Sequence, residues 1–424
     1  MLILKTRQIP LDNKRSVFKG RFSCVPSKRA AKKFAAHPFH FQIALLEMPK
    51  PKDSPTSDQR EIDPSFNPTA LGWRSDFAAA FAPFAEKGLH FARIITELRG
   101  EYRVLSPFGE STAKCTGKFI HHATAPDRFP AVGDWIVVAQ TPPAVPLEIR
   151  AILPRRTTIS RQKSGKATKQ QLIAANVDTL FLVTSLDLNF NLRRIERYLA
   201  VARQSEAFPV IVLNKSDLCP NTDEILATIH NIAGGTPVIA VSATQGDNLE
   251  SFDPYLTPGA TIAFIGSSGV GKSTISNALI GKYIQATGRR REGDDKGRHT
   301  TTARQLIPIP NGANLIDTPG MRELGLWEAT TGITDTFEDI AQLSRQCRFT
   351  NCRHTTEPGC AIQAAIQTNE ISPFRFENWI KLLAEQALTN LQRKESTNRR
   401  REKNVQKTTK SLRQNPTQDQ PNLD

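Results

Sequence analysis

No stretch of this 424-residue chain is apolar over a length that could cross a bilayer, which argues against a helical membrane protein. No apolar segment followed by a small-residue cleavage site stands near its start, so secretion is not supported. Cysteine is scarce as well. Of six residues, Cys24, Cys115 and Cys219 stand apart, and with no secretory signal a disulfide framework is not expected. No internal repeat is present, and acids are few before Glu47.

What the chain has in excess is positive charge. Lys and Arg number 56 against 41 Asp and Glu, a net charge of +15, and such a balance favours a polyanionic partner, nucleic acid first. The length suggests two to four domains. Residues 1 to 70, rich in Lys, Arg, Pro and Ser, cannot build a core. Three readings fit them: a disordered basic arm, an organelle transit peptide, or an upstream extension with the true start at Met48.

From Leu71 the texture changes. HFARIITEL, EYRVLSPF, STAKCTGKFIH, AVGDWIVVA and PLEIRAILP alternate apolar and polar residues between turn signals, which predicts five short strands and a small antiparallel barrel of the OB type over 71–160. After Arg161, NVDTLFLVTSL, PVIVLNK, PVIAVSA and ATIAFIG are continuous apolar runs separated by amphipathic helices such as NLRRIERYLAVARQ. That pattern predicts a parallel α/β sheet over 161–333. From about Thr336 the chain reads as helical around a cysteine cluster, with a domain over 334–395 and a charged, disordered tail over 396–424.

Within the α/β part, Gly266-Ser267-Ser268-Gly269-Val270-Gly271-Lys272-Ser273 lies between a strand and a helix start, the context a phosphate-binding loop requires. Its backbone N–H groups, with Thr274 at the helix start, would turn toward phosphate oxygens. Lys272 would reach the β- and γ-phosphates, and the Ser273 hydroxyl would meet Mg²⁺. Asp317 ends an apolar run in DTPG, where a carboxylate can hold Mg²⁺ through water and Gly320 can offer its N–H to a γ-phosphate. Upstream of all this lies Asn214-Lys215-Ser216-Asp217, which fits a guanine-reading loop, followed after the next strand by Ser242-Ala243, where a second base-contacting loop belongs. Asp217 could accept from the N1–H and N2–H of guanine, a donor pair that adenine lacks, so an ATPase is disfavoured. The base loop precedes the phosphate loop, the reverse of the usual order. A chain that enters the same parallel sheet at a different strand would produce this, because the loops at one sheet edge converge whatever their order.

In this order, GDW at Gly133–Trp135, NKSD at Asn214, GSSGVGKST at Gly266, GRHTTT at Gly297 and DTPGMREL at Asp317, the chain resembles the RsgA family from about Leu71 to about Ala384. The resemblance implies a circularly permuted GTPase that assists late maturation of the small ribosomal subunit and contacts its rRNA. The expectation is of a cytoplasmic, monomeric protein. The second reading is an rRNA-binding GTP sensor with little hydrolysis of its own, which the intact Lys272, Ser273, Asp317 and Thr300–Thr302 disfavour.

CRFTNCRHTTEPGC places Cys347, Cys352, His354 and Cys360 within fourteen positions, a complete tetrahedral set for a structural Zn²⁺, and the resemblance implies zinc at this motif. One role stays open. Where Ras-like proteins carry a water-orienting Gln after the switch II glycine, this chain has Met321. The nearest candidate is His299 in GRHTTT, which the resemblance also implies to be catalytic; a solvent-facing or RNA-contacting histidine is the competing reading, and Thr301 or Thr302 would then hold the water.

Overall fold

The structure, a computed structural model, describes residues 60–414 apart from 99, 124–125, 163–169, 189, 281–303, 310–311 and 318–328. It opens with α1 (Ser75–Ala85), which lays Phe77 against Trp135 and Phe81 against Trp73 and Phe91, while Trp73 stacks on Phe91 with ring centroids 4.1 Å apart. Strands β1 (His90–Glu97), β2 (Tyr102–Ser106), β3 (Gly109–Cys115), β4 (Trp135–Ala139) and β5 (Leu147–Ile152) then close a barrel in the order β1-β2-β3-β5-β4, with β4 returning to β1. All neighbours are antiparallel except β3 and β5. The period-2 alternation puts Tyr102, Val104 and Ser106 of β2 inside with Ile94, Ile136, Val138, Leu147 and Ile149, so the expected five-strand barrel is present.

One strand is shorter than the sequence suggested. STAKCTGKFIH ends its strand at Cys115, and the remainder is helix α2 (Gly117–His122). Thr116 is the reason. Its hydroxyl accepts the Phe119 N–H at 3.2 Å and caps the helix start, a local bond that competes with strand continuation. The sequence also gave no sign of a separate hairpin, β6 (Thr158–Gln162) with β7 (Gln170–Ala175), because five alternating residues cannot be told from loop by period alone.

The α/β sheet follows. Its elements are β8 (Thr179–Ser185), α3 (Leu192–Gln204), β9 (Phe208–Asn214), α4 (Thr222–Ala233), β10 (Val238–Val241), β11 (Thr261–Ile265), α5 (Lys272–Ile280), β12 (Gln305–Pro308) and β13 (Asn314–Asp317). Spatial order is β10-β9-β8-β11-β13-β12, parallel throughout except for β12. All seven residues of β8 are buried, as a strand covered on both faces must be. The chain enters this sheet at β8, in its middle. Counted instead from β11, the strand order would be 2-3-1-4-5-6, so the chain enters the sheet at what would then be its fourth strand, as the reversed order of the two loops predicts. The Cα pairing of Thr96 with Gln305 joins β1 to β12 and carries the sheet into the barrel.

Helices α6 (Thr330–Thr336), α7 (Glu338–Ser344), α8 (Ala361–Gln367) and α9 (Pro373–Gln414) complete the described chain. None of the described helices is long and apolar enough to cross a membrane. Residues 396–414, expected to be disordered, continue α9. The segment is rich in Lys and Arg and meets no Gly or Pro before Pro416, so nothing local stops the helix. These helices are fixed to the sheet through α3. Arg375 on α9 donates to Glu196 of α3 at 2.6 Å and to both carboxylate oxygens of Asp339 at 2.9 Å, while Asn378 donates to the other Glu196 oxygen. Glu196 is 1% exposed. Burial pushes its carboxyl up and the Arg375 charge pulls it back. Such a pair is costly to break, about 3–5 kcal/mol when one partner is lost.

The same contact depends on a close approach of α6 to α3. A Cβ on Gly332 would lie 2.0 Å from the carbonyl oxygen of Ala200 and 2.9 Å from the Gln204 nitrogen, both backbone atoms that cannot rotate aside. Gly332→Ala is therefore expected to destabilise the fold by roughly 1–3 kcal/mol, the usual cost of overpacking, read as a lower midpoint in denaturant unfolding. An unchanged midpoint would show that the two helices can separate freely.

Candidate functional site

Four described loops, those after β8, β9, β10 and β11, meet at the carboxyl edge of the parallel strands. Asn214 ends β9, and its side chain is 2% exposed. Its Nδ2 donates to the Val270 carbonyl at 2.8 Å and its Oδ1 accepts the Ala243 N–H at 3.1 Å, so one amide joins the loops after β9, β10 and β11. Gly271 makes this possible. Its φ is +96°, and a Cβ there would stand 2.1 Å from Asn214 Nδ2.

Lys215 adopts a left-handed backbone conformation with φ 63°. Its ammonium donates to the carbonyl of Gly269 and to Asp187 Oδ2, each at 2.8 Å. Ser216 opens the single 3₁₀ turn Ser216–Leu218 that carries Asp217. The buried Ser242 hydroxyl donates to Asp217 Oδ1 at 2.6 Å and orients that carboxylate. The sequence-predicted base loop and its partner loop are thus in contact in the fold.

The loop after β11 leads directly into α5, which begins at Lys272 with the Ile275 N–H bonded to the Gly271 carbonyl at 2.9 Å. Val270 is buried beneath the loop, whereas Ser268, Gly269 and Ser273 are exposed at its rim, with Ser267, Lys272 and Thr274 half-buried. Lys272 Nζ donates to the carbonyls of Gly266 at 2.7 Å and Ser267 at 2.8 Å, which holds the ammonium over the mouth of the loop. Asp317 is the last residue of β13, the neighbour of β11, so its carboxylate belongs to the same edge. His299, Thr301 and Gly320, with Met321, lie outside the described residues.

Two further residues at this edge escaped the sequence reading. Asp187, two residues beyond β8, takes the Lys215 ammonium, and Arg194 in the first turn of α3 donates from Nη1 to Ser267 Oγ at 3.0 Å. Neither sits in a recognisable motif. The signal available was position alone, since β8 neighbours both β9 and β11 and its following loop must reach the same crevice.

The second cluster lies between α7 and α8. Cys347, Cys352, His354 and Cys360 bring one ligand atom each within 4.8 Å of one another and could hold a metal ion. Cys347 Sγ is 3.5 Å from His354 Nδ1 and 3.9 Å from Cys360 Sγ, and Cys360 Sγ is 3.6 Å from the same nitrogen. Bonds of about 2.3 Å to sulfur and about 2.0–2.1 Å to nitrogen give tetrahedral edges of about 3.6–3.8 Å, so the spacing fits zinc. Burial lowers the pKa of His354, which favours the neutral imidazole a metal requires. The loop that presents His354 is shaped by Glu357. Its carboxylate accepts the N–H groups of Thr355 and Arg353 at 2.9 Å and of Thr356 at 3.1 Å, and these bonds, Thr355 first, pull its pKa to about 2.

A family model described as RsgA GTPase matches residues 152–327. The protein named small ribosomal subunit biogenesis GTPase RsgA of Opitutus terrae is 47% identical over 328 residues, which cover 75% of this chain and 89% of that relative. The RsgA 2 protein of Lactiplantibacillus plantarum is 45% identical, over 72% of this chain and 86% of that relative. Among solved structures, YjeQ from Thermotoga maritima superposes with a TM-score of 0.53 at 26% identity, over 70% of this chain and 98% of its own length. With a sheet in permuted order, a base loop bonded to a phosphate loop, and relatives of this identity and coverage, the chain belongs to the RsgA GTPase family.

Proposed function

We propose that this protein hydrolyses GTP to GDP and phosphate in association with the small ribosomal subunit, and assists the late maturation of that particle. The observation that carries the reading is Asn214: it ties the loop bearing Asp217 and the loop bearing Ser242 to the phosphate loop in a chain whose relatives are named small ribosomal subunit biogenesis GTPases. Asp217 would accept from the guanine edge and Asn214 would meet N7. The N–H groups from Gly266 to Thr274, with Gly320, would hold phosphate oxygens and Lys272 would neutralise them. Ser273 and Asp317 offer a hydroxyl and a carboxylate at the ends of neighbouring elements, the hard oxygen donors Mg²⁺ takes. The metal supplies neutralisation of developing charge.

His299 is the group we assign to positioning the attacking water, with Thr301 beside it, in place of the glutamine that Met321 replaces. The barrel and the metal-bearing helical domain, in a chain of net charge +15, would grip rRNA by charge and shape. The Cys347, Cys352, His354 and Cys360 set would hold one Zn²⁺ per chain and stabilise a domain with little core of its own. We read the protein as a cytoplasmic monomer.

Asp217→Asn should weaken GTP binding by roughly 10- to 100-fold and relax base choice, because the amide NH₂ would face the guanine donors. Calorimetric titration with GTP and ATP measures both, and wild-type GTP affinity in the mutant would remove the base-reading role. His299→Ala should preserve GTP affinity and lower the subunit-stimulated kcat by about 10²-fold or more, the worth of a positioned water-orienting group. Equal stimulated rates would pass the role to Thr301 or Thr302. Purified protein should carry zinc, and chelation should expose the C-terminal helices to limited proteolysis while GTP affinity is retained. Metal analysis that finds no zinc would end that assignment.

A further inference from the structure

We propose that Asp187 is a positioning residue of the guanine site: by anchoring the Lys215 ammonium, it fixes the methylene stem of Lys215 as the wall over one face of the base. The inference rests on the GTP-binding reading above and adds to it a residue that no nucleotide-binding motif contains. Its starting point is backbone geometry. Lys215 holds a left-handed φ of 63°, a conformation that non-glycine residues adopt at a cost and keep only where their surroundings over-determine it. Lys215 is held at its far end. Its Nζ donates to Asp187 Oδ2 and to the Gly269 carbonyl, both at 2.8 Å.

The carboxylate is itself oriented. Ser185 Oγ, on the last residue of β8, donates to Asp187 Oδ1 at 2.8 Å, so the acceptor is aimed from the strand adjacent to β9. The stem of Lys215 is therefore stretched between the end of β9 and two fixed acceptors, one on the phosphate loop and one after β8. A tethered lysine stem presents a flat apolar surface, suited to covering an aromatic ring. Of the two acceptors only Asp187 is charged, and a charge-assisted bond is about twice as strong as a neutral one. The pair is partly exposed, 27% for the Lys215 side chain and 22% for Asp187, so solvent screening keeps its worth moderate. Edge and face of the base would thus be served by different carboxylates. Asp217 reads the donors on the edge, while Asp187 acts through Lys215 on the face and is indifferent to those donors.

That division gives the test. Full-length wild type, Asp187→Ala, Asp187→Asn and Asp217→Asn would be titrated with GTP, GDP and inosine triphosphate, which lacks the 2-amino donor, and assayed for subunit-stimulated turnover. Asp187→Ala should weaken all three nucleotides by a common factor on the order of tenfold and raise KM rather than lower kcat. Asp187→Asn, which keeps one acceptor oxygen, should fall between the alanine variant and wild type. Asp217→Asn should instead change the ratio of GTP to inosine triphosphate. Wild-type binding by Asp187→Ala alongside a loss in Asp217→Asn would overturn the role of Asp187 and leave the guanine site standing. Wild-type binding by both would remove the guanine site itself. A lower thermal midpoint in Asp187→Ala with a matching loss of affinity that the asparagine does not restore would make Asp187 merely structural and also overturn the inference.

Discussion

The side chain of Asn214 is a primary amide buried to 2% exposure, with one of its two N–H donors given to Val270 and its oxygen accepting from Ala243. A buried amide without partners would cost free energy, so the three loops it joins can close on one another only in a single arrangement. Every other element of the nucleotide crevice is referred to that arrangement. Gly271 is compelled by it, since no side chain fits beside the amide. Lys215 and Asp217 follow Asn214 in the chain and inherit its position. Ser242 precedes the Ala243 nitrogen that the amide holds, and so reaches Asp217.

Sequence order matters little to this crevice because the loops are related through strands, not through the chain. Val270 and Asn214 are 56 residues apart, and the loop that is usually first comes second here. β11 still lies between β8 and β13, and the edge formed by β8, β9, β10, β11 and β13 is unchanged by which strand the chain enters first. Entering at β8 has a structural consequence at the other end. The sheet now finishes on β13 rather than on β10, so the helical domain comes after the strand bearing Asp317 in the chain and packs on α3.

Helix α3 occupies a middle position between the two sites. Its first turn sends Arg194 to Ser267 of the phosphate loop. On α9, Glu377, Arg375 and Glu385 engage Arg193, Glu196 and Arg197 in turn, with Arg193 also lying over Phe374 at 4.3 Å. Of these pairs only Glu196 with Arg375 is withdrawn from solvent, so it dominates the attachment, and the exposed Arg193 pair contributes little. The helical domain with the Cys/His cluster is accordingly fastened, among the described residues, to α3 near the nucleotide edge.

The sequence by itself determined the elements whose chemistry is local. A glycine-rich loop between strand and helix, an Asn-Lys-x-Asp at a strand end and three cysteines with a histidine in fourteen positions each announce a ligand, because short-range geometry already suffices to bring their atoms together. The runs buried on both faces and the alternating barrel strands were legible for the same reason, through periods of a few residues. Tertiary structure decided what depends on partners far away in the chain. Some local features were illegible too: a cap three residues long at Thr116 ended a strand that its own alternation would have continued, the helical tail ran on past residue 396, and the hairpin at Thr158–Ala175 was too short to declare itself. Asp187 and Arg194 became part of the crevice only because β8 lies between β9 and β11, a neighbourhood set by packing two faces of a parallel sheet and written in no single stretch of residues.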